Sequence, residues 1–297
     1  MTGAARSDTI AAAAGVVGQP MSQPLSSPVE IAWAGRTVQI EHAWVGVADD
    51  AAPLVVFLHE GLGSLAMWKD FPLRLCAAAG CRGLVYSRPG YGRSTARAAD
   101  ETWAPDFMHR QAHEVLPALL AALGVDASAR PPWLFGHSDG GSIALLYAAK
   151  FGRELGRGVA GAIVVAPHIR VEDVSVTSID AARRAYLETD LRDRLARYHD
   201  DPDSAFWGWN RIWLDPAFRA WSIEPEIGSI RCPLLAVQGT GDEYGTLEQI
   251  RGIARRVPGT QLLELPACGH SPHRDQPEAL IAAATRFIQR HTPGDPA

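Results

Sequence analysis

Six short, predominantly apolar runs, at residues 54–58, 83–86, 133–135, 159–166, 234–237 and 261–265, constrain this chain more than any other feature of its sequence. Such runs suit strands of a parallel sheet that is covered on both faces. Between them, Met108, Ala112, Val115, Leu116, Leu119 and Leu123 recur at helical spacing, as do Leu280, Ile281, Ala284, Phe287 and Ile288. Two earlier strand-like runs, 29–34 and 38–45, flank a Gly-containing turn and predict a hairpin. The expected class is α/β, with a mostly parallel eight-stranded sheet flanked by helices.

One stretch breaks the alternation. Residues 168–226 hold no good strand but carry charged helical segments and a Trp-rich patch, which predicts a helical cap inserted after the sixth strand. The expected division is a flexible tail over 1–28, a core in two parts over 29–167 and 227–291, the cap over 168–226, and a short C-terminal tail over 292–297. Residues 1–28 are rich in Ala, Gly, Ser, Gln and Pro without periodicity, and Met21 is an alternative start to Met1. The weak apolar stretch 10–18 has no convincing cleavage site after it.

Composition narrows the function classes. A net charge of −5, from 28 basic and 33 acidic residues, gives no electrostatic grip on nucleic acid or anionic lipid. No apolar run approaches the roughly 20 residues that span a bilayer. Cys76, Cys81, Cys232 and Cys268 have no close metal spacing, and a chain of 297 residues needs no disulfide staples. The expectation is a cytoplasmic protein, monomeric or homodimeric, with no metal and no cofactor.

The chemistry is written at the strand ends. Gly136-His137-Ser138-Asp139-Gly140 follows an apolar strand and opens a helix, the setting of a G-x-S-x-G nucleophile elbow. Alone, such a motif is often only a turn. A serine hydroxyl needs a histidine to take its proton, and the histidine needs a carboxylate to fix its tautomer. Asp242 follows the strand ending at Val237, and His270 follows the strand ending at Leu265. Glu243 is the competing acid at the first of these loops. Three triad-type residues at the ends of later strands, in the order Ser, Asp, His, outweigh the bland readings of each as turn, cap or loop residue. The Gly-rich loop His59-Glu60-Gly61-Leu62-Gly63 after the first parallel strand suits an oxyanion hole. Its Gly61 N–H and the Asp139 N–H are the assigned donors, with Glu60 or Leu62 as the shift by one.

These motifs, together with Arg88-Pro89-Gly90-Tyr91-Gly92-Arg93-Ser94 and Gly269-His270-Ser271-Pro272, make residues 29–291 resemble a capped α/β-hydrolase. The resemblance implies a serine hydrolase using Ser138, His270 and Asp242. Family members with Asp at the elbow, the haloalkane dehalogenases and epoxide hydrolases, have a different nucleophile from Ser138. Meta-cleavage-product hydrolases share the Ser, Asp and His, but often carry Trp where this chain has Ser271. Two departures stand out: Glu60 replaces the usual Gly after His59, and Ser87 replaces a frequent Asp.

Glu60 and Asp139 therefore border the oxyanion site, either as structural groups paired with backbone or Arg88, or as contacts to a cationic or donating substrate group. Trp207, Trp209, Trp213 and Trp221 crowd one part of the cap and suit either an acyl pocket or cap packing. Arg183, Arg184, Arg192, Arg194 and Arg197, interspersed with acids, read as a solvated helix face. His168, His199 and His273 read as structural. The expected reaction is hydrolysis of a small-molecule carboxylic ester through an acyl-enzyme. The alternatives are carbon–carbon bond hydrolysis, thioester or amide hydrolysis, and a slow-turnover ligand receptor on the same fold.

Overall fold

The strands are β1 (Ser27–Trp33), β2 (Arg36–Gly46), β3 (Leu54–Leu58), β4 (Arg82–Tyr86), β5 (Trp133–His137), β6 (Gly161–Val165), β7 (Leu234–Gly239) and β8 (Gln261–Leu265). They form one eight-stranded sheet in the order β1-β2-β4-β3-β5-β6-β7-β8. β2 pairs antiparallel with both β1 and β4, and the pairings from β4 through to β8 are parallel. The computed structural model describes residues 26–152 and 158–292. The expected tail at 1–25, with both candidate starts and the apolar stretch 10–18, lies outside the described residues, as does 293–297.

The α-helices are α1 (Phe71–Ala79), α2 (Phe107–Arg110), α3 (Leu116–Ala122), α4 (Asp139–Phe151), α5 (Asp173–Glu188), α6 (Leu191–Leu195), α7 (Pro202–Trp213), α8 (Glu224–Ile227), α9 (Glu248–Arg256), α10 (Pro272–Asp275) and α11 (Pro277–His291). Successive strand residues point to opposite faces. Accordingly Val56, Leu58, Leu134 and Val164 pack with α3, α4 and the cap, whereas Val55, Phe57, Phe135, Ile163 and Val237 pack with α1 and α11. Every residue of β5, β6 and β7 is buried, which is why their sequences are almost wholly apolar, with His137 and Gln238 as the polar exceptions.

Several bounds differ from the sequence reading, and three of the differences have a clear physical cause. β1 begins at Ser27, because Ser27 and Pro28 pair with His42 and Glu41 rather than belonging to a tail. The run 159–166 shortens to Gly161–Val165, since Ala166 takes a positive φ of 47° and turns the chain out of the sheet. The helical pattern of 108–123 is interrupted by a π-helical turn, Gln111–Val115, immediately before Pro117, which cannot donate to the ladder.

Between β6 and β7 the chain carries α5 to α8 and the 3₁₀ turn Pro216–Phe218, with an antiparallel bridge between Arg170 and Ser222 joining entry to exit. In α7, Asp201 accepts from the Ser204 N–H and Pro202 starts the helix, while Phe206, Trp209 and Trp213 lie on its buried face. The cap arginines 183, 184, 192 and 194 pair with Asp180, Asp203 and Asp190 on exposed surface. Among the described residues no helix is long and apolar enough to cross a membrane.

Candidate active site

β5 delivers Ser138 into a left-handed backbone, φ 53° and ψ −121°, and α4 starts at the next residue. A non-Gly residue held there costs about 1–3 kcal/mol, which the surrounding packing must offset. The flanking glycines explain how the turn is made so sharp. A Cβ on Gly136 would lie 2.2 Å from the Gly140 carbonyl oxygen, and one on Gly140 would lie 2.0 Å from that of Leu58. The Ser138 N–H is anchored on the Val165 carbonyl at 2.9 Å.

The loops after β7 and β8 bring the other two residues to this turn. His270 Nε2 lies 3.0 Å from Ser138 Oγ, and His270 Nδ1 lies 2.8 Å from Asp242 Oδ1. A carboxylate only accepts, so Nδ1 carries the proton and Nε2 presents its lone pair to the hydroxyl. Asp242 also accepts from the Tyr244 and Gly245 N–H groups and from Gln238 Nε2. Burial would raise its pKa, but the His270 bond and the backbone donor outweigh that and hold it below the ordinary value. Glu243 instead accepts the His270 backbone N–H, at 3.2 Å.

The loop after β3 is fixed by one carbonyl. Glu60 O accepts from His59 Nδ1 at 2.7 Å, Arg88 Nη2 at 2.9 Å and the Gly63 N–H at 3.0 Å. In a trans peptide the N–H points opposite to the C=O, so the Gly61 N–H of the same unit faces away from those anchors. Among the described residues it donates to no protein acceptor. The Asp139 N–H, as the first of α4, has no intrahelical acceptor either.

The two carboxylates beside this site differ. Asp139 is buried, with Oδ1 accepting from Trp213 Nε1 at 3.2 Å and Oδ2 at 4.0 Å from Arg88 Nη2. Burial pushes its pKa up to about 6, against the pull of Arg88 and the Trp213 bond. Glu60 turns its carboxylate toward Arg274 and His137, at 3.1 Å and 3.5 Å.

The cap tryptophans also separate. A Cβ on Gly61 would lie 2.2 Å from Trp209 Nε1, so that indole rests directly on the loop after β3. Trp213 bonds Asp139, while Trp207 packs within the cap against Tyr186 and Phe206. His199 staples the cap to the core: its Nδ1 accepts from the Gly92 N–H at 2.9 Å and its Nε2 donates to the Leu62 carbonyl at 3.0 Å. His168 stands 4.8 Å from the Trp213 ring, and His273 lies beside His137. The bonding roles of His137, Gln238, Tyr244 and Arg274 leave no trace in sequence spacing. Among the described residues no group of three or more His, Cys, Asp or Glu is placed to hold a metal ion, and the four cysteines are buried and unpaired.

Residues 55–284 match the model of the alpha/beta hydrolase family. The chain belongs to that family. This hydrolase is similar to the 2-hydroxy-6-oxo-6-phenylhexa-2,4-dienoate hydrolase of Burkholderia cepacia, at 24% identity over 79% of the chain and 87% of the relative. It is also similar to a putative carbamate hydrolase of Variovorax paradoxus, at 28% identity over 85% of the chain and 97% of the relative. Its fold matches that of a thermophilic esterase from Thermogutta terrifontis, with a TM-score of 0.67 and 20% identity, covering 91% of the hydrolase and 100% of the esterase.

Proposed function

We propose that this hydrolase cleaves a small carboxylic ester through an acyl-enzyme on Ser138. The reading rests on the unbroken line from Ser138 Oγ to His270 Nε2 and from His270 Nδ1 to Asp242, beside two unengaged N–H groups. His270 takes the hydroxyl proton as Ser138 attacks the carbonyl carbon, and Asp242 stabilises the imidazolium. The negative charge on the carbonyl oxygen meets the Gly61 and Asp139 N–H groups, donors already oriented and so free of reorganisation cost. His270 then protonates the departing alkoxide, and next activates the water that frees Ser138. The walls of Trp209 and Trp213 beside the donors suit a small apolar acyl or alcohol group. The scheme draws on no cofactor, and its partner is the small-molecule ester alone.

The test is multiple turnover of p-nitrophenyl acetate and butyrate. Ser138→Ala is expected to lose roughly 10⁴-fold or more in kcat, since triad members act as a unit. Full activity in that variant would end the proposal. The similarity to a dienoate hydrolase gives a second reading, carbon–carbon bond hydrolysis by the same three residues. A panel of esters, acyl-CoAs, arylamides and dienoic ring-cleavage products separates the two by kcat/KM, with the ester expected to lead.

A further inference from the structure

Behind the triad lies a second buried arrangement that the ester chemistry does not use. His137, the residue before the nucleophile, is 1% exposed, and its Nε2 lies 2.7 Å from the backbone carbonyl of His270. A carbonyl oxygen only accepts, so Nε2 carries a proton. The other ring nitrogen, Nδ1, is buried and faces Glu60 Oε2 at 3.5 Å. Among the described residues no other protein group is within hydrogen-bond reach of it. That separation is longer than a hydrogen bond and fits an ion-pair contact. A bare lone pair facing a carboxylate would be repelled, whereas a proton on Nδ1 turns the contact into attraction.

Glu60 is kept ionised from its other side. Arg274 Nη2 donates to Oε1 at 3.1 Å, and although burial would raise the Glu60 pKa, the contacts with His137 and Arg274 hold it well below the ordinary value. The remaining neighbours of the His137 ring are His273 at 4.7 Å and His270 at 5.0 Å between centroids, with Trp68 at 6.4 Å. His273 is held neutral by burial first and by the charge of His137 second, its pKa lying well below the ordinary histidine value. His270 is the general base.

We infer that the half-buried Glu60 and the buried His137 form a carboxylate–imidazolium pair that positions His270 for catalysis. Three segments meet in it: Glu60 from the oxyanion loop, His137 from the elbow, and the carbonyl of His270 from the base loop. The pair fixes the main chain of His270 from one side while Glu243 holds its N–H from the other. His137 and Glu60 are positioning residues, since neither touches the reacting atoms. The inference rests on the reading of Ser138 and His270 as nucleophile and base, but not on the ester as substrate.

The test has two arms, both on the full chain. In the first, ¹⁵N-histidine NMR of the wild-type protein at pH 7 is expected to show His137 protonated on both ring nitrogens. In Glu60→Gln it is expected to show the neutral form with the proton on Nε2, because the amide can donate to Nδ1. A neutral His137 in the wild type would overturn the charge assignment. The second arm follows phosphonylation by a fluorophosphonate, in which Ser138 Oγ forms the P–O bond, fluoride leaves, and His270 takes the proton.

With the pair in place, Glu60→Gln removes the imidazolium charge nearest His270, so the acid limb of the rate profile moves to higher pH. If Glu60 alone were charged, losing it would move that limb to lower pH, and this opposite sign would refute the pair. His137→Gln is expected to slow phosphonylation about tenfold or more at saturating probe with little change in probe affinity, as misplacement of a base predicts; an unchanged rate would refute the positioning role. Phosphonylation without turnover of any p-nitrophenyl ester would count against the ester reading and leave both arms decisive for the pair.

Discussion

At the scale of single residues, the position after Ser138 has the clearest consequence. Asp139 lends its N–H to the proposed oxyanion site while its carboxylate is buried against Arg88 and Trp213. Its folded pKa, about 6, is raised above the ordinary 3.8. The folded protein therefore holds a proton that the unfolded chain has lost between those values, and the associated stability is full below about pH 4 and lost as pH rises through 6. The stability of Asp139→Asn relative to wild type should accordingly improve between pH 4 and 6 by on the order of 3 kcal/mol, then level off. Urea midpoints for both proteins at four pH values check it, and parallel curves would show that the carboxylate is not held this way. The sequence announced Asp139 as a neighbour of the nucleophile, but the indole that meets it comes from 74 positions later, which no local pattern reveals.

At the scale of elements, the contact between α7 and the loop after β3 couples the helices inserted between β6 and β7 to the core. Gly61 has no room for a side chain because Trp209 occupies that space. Gly61→Ala must therefore displace either the loop or the indole, and a shift of about 1 Å in the donor is expected to lower kcat/KM roughly 100-fold. If the clash is the cause, adding Trp209→Ala recovers much of the loss, giving a strongly non-additive double-mutant cycle. Additive effects would mean that Gly61 matters for another reason. The existence of α7 was legible as a Trp-rich helical stretch. Which indole faces the core was not, because Trp207, Trp209 and Trp213 differ only by their angle around the helix, and Trp207 turns into the cap.

For the whole molecule, the buried histidines set the response to acid. Burial lowers the pKa values of His59, His168, His199 and His273, with His168 falling to about 3. The unfolded chain binds protons below about 6.5 that the folded protein refuses, so stability is full above that pH and falls as the pH drops toward the folded values. Each such group contributes a slope of up to about 1.4 kcal/mol per pH unit. Asp139 opposes this between pH 6 and 4, one group against several. The urea midpoint is expected to fall steeply from pH 7 to 5, and a flat profile would contradict the buried neutral histidines. Protonating His199 also removes its acceptor for the Gly92 N–H, so the staple between cap and core should be among the first parts of the fold to open.

By itself the sequence determined the alternating strands and helices, the elbow, and the order of Ser138, Asp242 and His270, because each is encoded locally: an apolar run makes a buried strand, and glycines permit a tight turn. Strand ends in a parallel sheet all open on one side, so the order of the loops already implied their convergence. Tertiary structure alone decided the partners. It gave Glu60 to His137 and Arg274, Asp139 to Trp213, and His199 to Leu62 and Gly92. The physical reason is that a buried polar group must find its partner wherever packing brings one, however distant in the chain.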